Sequence, residues 1–152
     1  IADQFLMWYG AYGSRKHVLG IASSPDGVHW KRLNDGEPIV GLVGGNQGQL
    51  GPSVYYDGRR YLMLYGADKG GEWNTYAAVS SDGIRFTQLR GDQPVLGPAP
   101  ERNFDTAGVG RNQVVHPTQF IIRDKTVRLW YMGEDGSPPH LQRIGLMEAV
   151  LP

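Results

Sequence analysis

The chain has 152 residues, 15 basic and 15 acidic side chains, no net charge and no cysteine. That excludes disulfides and thiolate metal sites, and leaves no basic stripe with which to hold nucleic acid. No apolar run approaches the ~18 residues of a membrane-spanning helix, so no membrane partner is expected, and "IADQFLMWYG" lacks the basic start and long apolar core of a signal peptide.

The first element is "FLMWYGA" (5–11), apolar on both faces, as expected of a strand covered on two sides. It is followed by the turn segment "SSPDGVHWKRL" (23–33) and by "EPIVG" (37–41). The same features recur 56 residues later. Asp26 falls on Asp82, Gly27 on Gly83, Trp30 on Phe86, Tyr9 on Tyr65 and Pro38 on Pro94. This second unit reads as four strands: 52–56, 60–66, 75–81 and 84–89. Asp57-Gly58 closes the first pair and Asp82-Gly83 the last; Asp-Gly between apolar runs signals a two-residue hairpin turn, which needs positive φ. A third, looser copy reads as strands at 117–122, 126–132 and 142–149, with "VRLWYMG" under "YLMLYGA". Trp30 and Phe86 read as packing residues of the fourth strand, and Trp8, Tyr9, Tyr65, Trp130 and Tyr131 as core.

A four-stranded meander recurring every ~50 residues, with sheets covered on both faces, is the pattern of propeller blades. The predicted fold is therefore all-β: antiparallel four-stranded blades of an incomplete β-propeller. One continuous antiparallel sandwich is the alternative. The single domain divides into a partial blade (1–40), a full blade (41–96) and a partial blade (97–152). About two and a half blades cannot close a ring, so open edges and faces predict self-association as a homodimer, or membership in a larger propeller.

In a meander, alternate connections lie at opposite ends. The Asp-Gly turns share one face. The longer segments share the other: "AYGSRKH", "ADKGGEW", "GEDGSPPH", "GLVGGNQGQLG" and "GPAPERNFDTAGVGRNQVVH". Binding residues concentrate on such loops over a rigid scaffold. This face gathers Tyr12, Arg15, His17, Asn46, Gln47, Gln49, Asp68, Glu72, Trp73, Glu101, Asp105, Arg111, Asn112, Gln113, His116, Glu134 and Asp135. Carboxylates, amides and aromatics together suit a sugar, and cleaving a glycosidic bond takes two flanking carboxylates. Asp105 and Glu134 are the candidate catalytic pair; His116, Arg111, Asn112, Asp68, Trp73 and Gln49 are candidate substrate-binding residues. The plainer readings stand beside these. Asp68, Glu72, Glu134 and Asp135 read first as solvated loop residues, and Asp105 as a loop cap. Trp73 is the aromatic expected to be exposed.

The four histidines, at positions 17, 29, 116 and 140, lack metal-ligand spacing. "GVGRNQ" and "GGNQGQLG" precede no helix, so no phosphate loop is expected, and no Ser occupies a nucleophile elbow. No cofactor is expected.

The unit "GPSVYYDGRRYLMLYGA…AAVSSDGIRFTQL…QPVL" resembles the blades of the five-bladed β-propeller glycoside hydrolases of families 43, 32, 68, 62 and 130, and "FDTAGVGRNQVVHPTQFIIRDKTVRLWYMGE" is similar to their blade-entry segment. The resemblance implies a glycoside bound in a funnel at the propeller axis. It implies a base or nucleophile Asp at the start of an inner strand, often before Pro, and an acid Glu from a later blade. The matching positions here are Gly51-Pro52 and His116-Pro117, without Asp. Asp105 is the carboxylate whose surroundings are most similar, and Glu101 and Glu134 are candidates for the acid. The functional expectation is a glycoside-hydrolase-like module binding carbohydrate on the long-loop face; the alternative is a non-catalytic binding or scaffold module.

Overall fold

The computed structural model describes residues 4–13, 15–97, 115–134 and 142–151. Three antiparallel sheets follow one another along the chain. The first contains β1 (Phe5–Tyr12), β2 (His17–Ser24) and β3 (Lys31–Arg32), followed by a single 3-10 turn at Asn34–Gly36. The second, in order, is β4 (Gln49–Tyr56), β5 (Tyr61–Lys69), β6 (Glu72–Ser80) and β7 (Thr87–Gln88). The third contains β8 (Val115–Arg123), β9 (Thr126–Glu134) and β10 (Gln142–Val150). No helix among the described residues is long and apolar enough to cross a membrane.

The second sheet is the middle layer, with β4 packed against β1 and β2 on one side and β8 on the other. Period-two alternation distributes its side chains accordingly. Met63, Tyr65 and Ala67 of β5 and Tyr76 and Ala78 of β6 join Leu19, Ile21 and Ile39 in one core. Leu64 and Ala77 face the opposite way, into a second core with Leu96, Phe120, Leu129 and Tyr131. Each large side chain so buried contributes roughly 1.5–3 kcal/mol relative to exposure. Pro52 and Pro117 lie on the edge strands β4 and β8, Pro52 within a break in register and Pro117 beside one, a placement in which a strand tolerates proline. Ser53 Oγ there accepts the Phe120 N–H at 3.0 Å, pinning the third sheet to the second.

The turns depart from expectation in a consistent way. The Asp-Gly turns are not two-residue hairpins: Tyr56 pairs with Tyr61 across a four-residue connection. Asp57 accepts the N–H groups of Arg59 and Arg60 at 2.8 and 2.7 Å. Asp26 does the same for Val28 and His29, and Asp82 for Ile84 and Arg85, all at 2.8 Å. The aspartate is thus a side-chain cap, while glycine supplies the positive φ, +76° at Gly27, +93° at Gly58 and +77° at Gly83. The tight hairpin of the second sheet lies at the other end, and in the third sheet a two-residue hairpin at Asp124-Lys125 joins β8 to β9. Lys69 pairs with Glu72 across Gly70-Gly71, both at positive φ. "ADKGGEW" is therefore strand and turn rather than a long loop, and β5 and β6 run farther than the sequence suggests. The fourth strand, expected over six residues, pairs only at Thr87–Gln88. Phe86 is buried as expected, because the chain at Val40 and Gly41 crosses it. Trp30 is not a packing residue: it stays 38% exposed and its indole N–H caps Gly27 O at 3.1 Å.

The first two sheets interlock at one turn. Trp8 Nε1 donates to Gly83 O at 2.9 Å, and a Cβ at residue 83 would lie 3.0 Å from the Trp8 ring. Gly58 has the same backbone hand but open space around it. Gly58→Ala should cost about 1–2 kcal/mol for the left-handed backbone alone, and Gly83→Ala measurably more in urea unfolding. Equal losses would mean that the Trp8 contact contributes nothing.

The backbone N–H groups of Arg85 and then Ile84, with Ser80 Oγ, hold the Asp82 carboxyl at about 2, below its ordinary 3.8, against a smaller opposing effect of burial. A depressed folded-state pKa stabilises above the unfolded value, and that stability is lost as pH falls from about 4 towards 2. Wild-type unfolding free energy should fall through this window more steeply than that of Asp82→Asn.

Candidate functional site

On the long-loop end of the first two sheets, the β1–β2 connection (13–16) meets the segment 38–48. Their junction is backbone to backbone: the His17 N–H donates to Gln47 O at 2.9 Å, and His17 bridges to Gly48. Gly48 has φ +92°, and a Cβ there would fall 1.8 Å from His17 O, so no larger residue fits.

Asp68, near the end of β5, secures the segment from below. Its carboxylate is 2% exposed. One oxygen accepts the Gln47 N–H at 3.2 Å and the other the Gly71 N–H at 3.0 Å. Its own backbone N–H donates to Gly48 O at 3.1 Å, and its carbonyl accepts the Gly45 N–H at 2.5 Å. Gln49 Nε2 donates to Val43 O at 3.2 Å. The Tyr65 hydroxyl accepts the Val43 N–H and Gln88 Nε2, each at 2.8 Å. Burial pushes this phenol up to about 12, so it stays protonated at ordinary pH. Trp73 Nε1 donates to Gln47 Oε1 at 3.3 Å, and the ring meets His17 edge-on at 6.2 Å; His17 in turn meets Tyr12 at 5.0 Å.

The framework leaves an open hollow of about 680 Å³, lined by Gly13, Arg15, Lys16, Val18, Pro38, Gly45 and Asn46. Along β2, Val18 borders this hollow while His17, one residue earlier, turns to Trp73, as strand alternation requires. Cationic and amide groups stand beside the aliphatic surface of Val18 and Pro38.

The structure brings Asp68, Trp73 and Gln49 together, but as the bracket under residues 43–48 rather than as lining of the hollow. Asp68 is not a solvated loop residue; a buried carboxylate must find donors, and it takes two backbone N–H groups. Trp73 is 6% exposed, not an exposed platform, because β6 begins earlier than expected and carries it inside. Glu134 belongs to the end of β9, opposite Gln142, rather than to a loop, and His116 lies on β8 opposite Met132; their side chains lie outside the description. Asp105, Arg111 and Asn112 lie outside the described residues. Lys16, Pro38 and Gly45 were not singled out from sequence. Lys16 carried a signal in standing beside Arg15, and Asp68 carried one in standing three residues before Gly71, the spacing of a side-chain-capped turn. Among the described residues, no three His, Asp or Glu side chains converge as metal ligands.

No family model matches the chain. An uncharacterised protein of Mycobacterium tuberculosis is 33% identical over 98 residues, covering 60% of this chain and 32% of that protein. An A type blood N-acetyl-α-D-galactosamine deacetylase of Flavonifractor plautii is 26% identical over 148 residues, covering 85% of this chain and 18% of that protein. Among solved structures, the β-1,2-mannobiose phosphorylase of Listeria innocua matches with a TM-score of 0.68 at 16% identity, over 96% of this chain and 37% of that one. The GH32 β-fructofuranosidase of Bombyx mori matches with a TM-score of 0.66 at 13% identity, over 100% of this chain and 32% of that one. The chain thus spans about a third of the mycobacterial relative and of these two structures. Its fold is that of part of a glycosidase-type β-propeller, as the blade pattern in the sequence predicts.

Removing the Asp68 carboxylate should release the rim of the hollow. Asp68→Ala leaves two part-buried N–H groups without their acceptor, at no more than about 1–3 kcal/mol each, the cost for a fully buried group. Asp68→Asn keeps one acceptor oxygen and should lose less. The expected signature is lower unfolding free energy with faster amide exchange at Gln47 and Gly71; unchanged exchange at both would show that the carboxylate does not hold the segment.

Proposed function

We propose that this chain is a carbohydrate-binding part of a glycoside-active propeller and that it holds a glycoside on its long-loop face. The observation that carries the reading is the hollow between the β1–β2 connection and residues 38–48: it presents Arg15, Lys16 and Asn46 to hydroxyl and charged groups, and Val18 and Pro38 to a ring face. The fold supports it, since this chain is similar to proteins named as a glycoside phosphorylase and a fructofuranosidase. The rigid bracket of Asp68, Gln49 and Tyr65 supports it too, because a preformed rim binds without first being ordered.

Hydrolysis belongs to the proposal only for an assembled ring. Its two carboxylates would be Asp105 and Glu134, on opposite sides of the scissile bond and about 5–10 Å apart. Asp68 does not serve, since both its oxygens are occupied by backbone N–H groups.

A second reading, a non-catalytic module that self-associates, is favoured by β10. It is exposed along nearly its whole length, with Ile144 at 69%, Leu146 at 53% and Val150 at 78%.

Titration with manno-, fructo- and arabino-oligosaccharides, followed by backbone amide NMR, tests the first reading. Shifts should cluster at residues 13–18 and 45–48, and Asn46→Ala should weaken them. Absence of binding across such a panel would reject carbohydrate recognition. Turnover of an aryl glycoside that survives both Asp105→Asn and Glu134→Gln would reject the catalytic assignment. Sedimentation of the same sample decides the second reading: a stable monomer at 100 micromolar or so, far above the Kd of a stable dimer, removes it.

A further inference from the structure

The hollow has a charge character that the general carbohydrate reading does not use. Two of its lining residues, Arg15 and Lys16, are cations, and among the described residues none of the lining is a carboxylate. The chain as a whole is neutral, so this is a local excess. Among the described residues neither cation has an ion-pair partner. Asp35 and Glu37, the nearest carboxylates along the chain to Pro38, do not line the hollow. Asp68, the buried carboxylate beneath it, is turned to Gln47 and Gly71.

Both cations are held in place by their backbone. The Gly13 N–H donates to Lys16 O at 2.8 Å, closing the turn that carries them, and the adjoining His17 N–H is tied to Gln47. Asn46 and Gly45 also line the hollow, and Val18 and Pro38 add aliphatic surface to it.

Resting on the carbohydrate reading above, we propose that this hollow takes an anionic saccharide, with a sugar carboxylate held by Arg15 and Lys16 and the ring against Val18 and Pro38. A carboxylate gains from both charges, with Arg able to bind it through two parallel N–H bonds. The apolar stretch gives a uronic acid ring a surface that a compact inorganic anion cannot use. A phosphate ion is instead best held by a nest of free backbone N–H groups, and the Gly13 N–H at this turn is already bound to Lys16 O.

The test compares trigalacturonate with its carboxyl-reduced, neutral counterpart by calorimetry and amide NMR, at about 20 and 200 mM salt, a range over which the Debye length falls severalfold. The acidic trisaccharide should bind tighter by about 1.4- to fivefold per cation, the range of an exposed ion pair, and added salt should shrink the difference. Arg15→Gln with Lys16→Gln should abolish the preference for the acidic trisaccharide. Arg15→Glu with Lys16→Glu should invert it. Arg59→Gln, on a turn outside the hollow, should change nothing. Equal binding of the two trisaccharides would overturn the inference and leave the carbohydrate reading standing. Binding of neither would overturn both. Inorganic phosphate displacing trigalacturonate at equal concentration would overturn the assignment to a saccharide carboxylate.

Discussion

A carboxylate removed from water must be given donors or give up its charge. Asp68 is given donors, and much of the long-loop face follows from where they come from. One is the N–H of Gln47, in a segment with no strand of its own; the other is the N–H of Gly71, in the hairpin beyond β5. The same residue's backbone engages Gly45 and Gly48. A single position thus ties the hairpin of the middle sheet to the connection entering it from the first sheet. Close approach explains the glycines: a Cβ at Gly45 would meet the Asp68 side chain at 2.6 Å, and one at Gly48 would strike the carbonyl of His17.

That connection needs such fastening because the sheet it enters is buried on both sides. Strands β5 and β6 give alternate residues to two cores, and a few polar groups among them and beside them fasten the chain running past their ends. The Tyr65 hydroxyl holds Val43, Gln88 holds Gly41, and Gln49 reaches back to Val43. Each joins a side chain to the backbone of residues 41–43, and Gln88 also donates to the Tyr65 hydroxyl. At the opposite end Asp26, Asp57 and Asp82 each cap N–H groups two and three residues onward in their own turns.

This division explains what could be read from the sequence. Apolar residues on both faces of "YLMLYGA" mark a strand covered on two sides, as β5 is; the same pattern marked β1 and β9, although Phe5 and Met7 of β1 stay exposed. Turn chemistry was legible in kind but not in placement. Asp-Gly marked the right residues, yet the aspartate acts by its side chain, and two-residue hairpins sit instead at Gly70-Gly71, inside what reads as a loop, and at Asp124-Lys125. The burial of Asp68 and Trp73 depends on residues some twenty-one to twenty-six positions away, contacts that no local pattern encodes. A polar residue near a glycine pair therefore reads as surface when it is a fastening. Arg15 and Asn46 were legible as members of the long-loop face, because exposed polar residues on connections need no distant partner to stay where they are.

The same division separates residues that build the hollow from residues that could recognise something in it. Asp68, Gln49, Trp73 and Tyr65 have their polar atoms engaged with other parts of the chain and little exposed surface, so changing them alters the rim's position before it alters any contact. Arg15, Lys16 and Asn46 are exposed, and the hollow opens onto them. A fold whose cores and anchors are satisfied without these three can vary them at little cost to stability, which is the condition under which a connection can be given over to binding. The chemistry of any ligand is therefore to be sought in the charges of the β1–β2 connection, and the precision with which they are held in the buried carboxylate beneath.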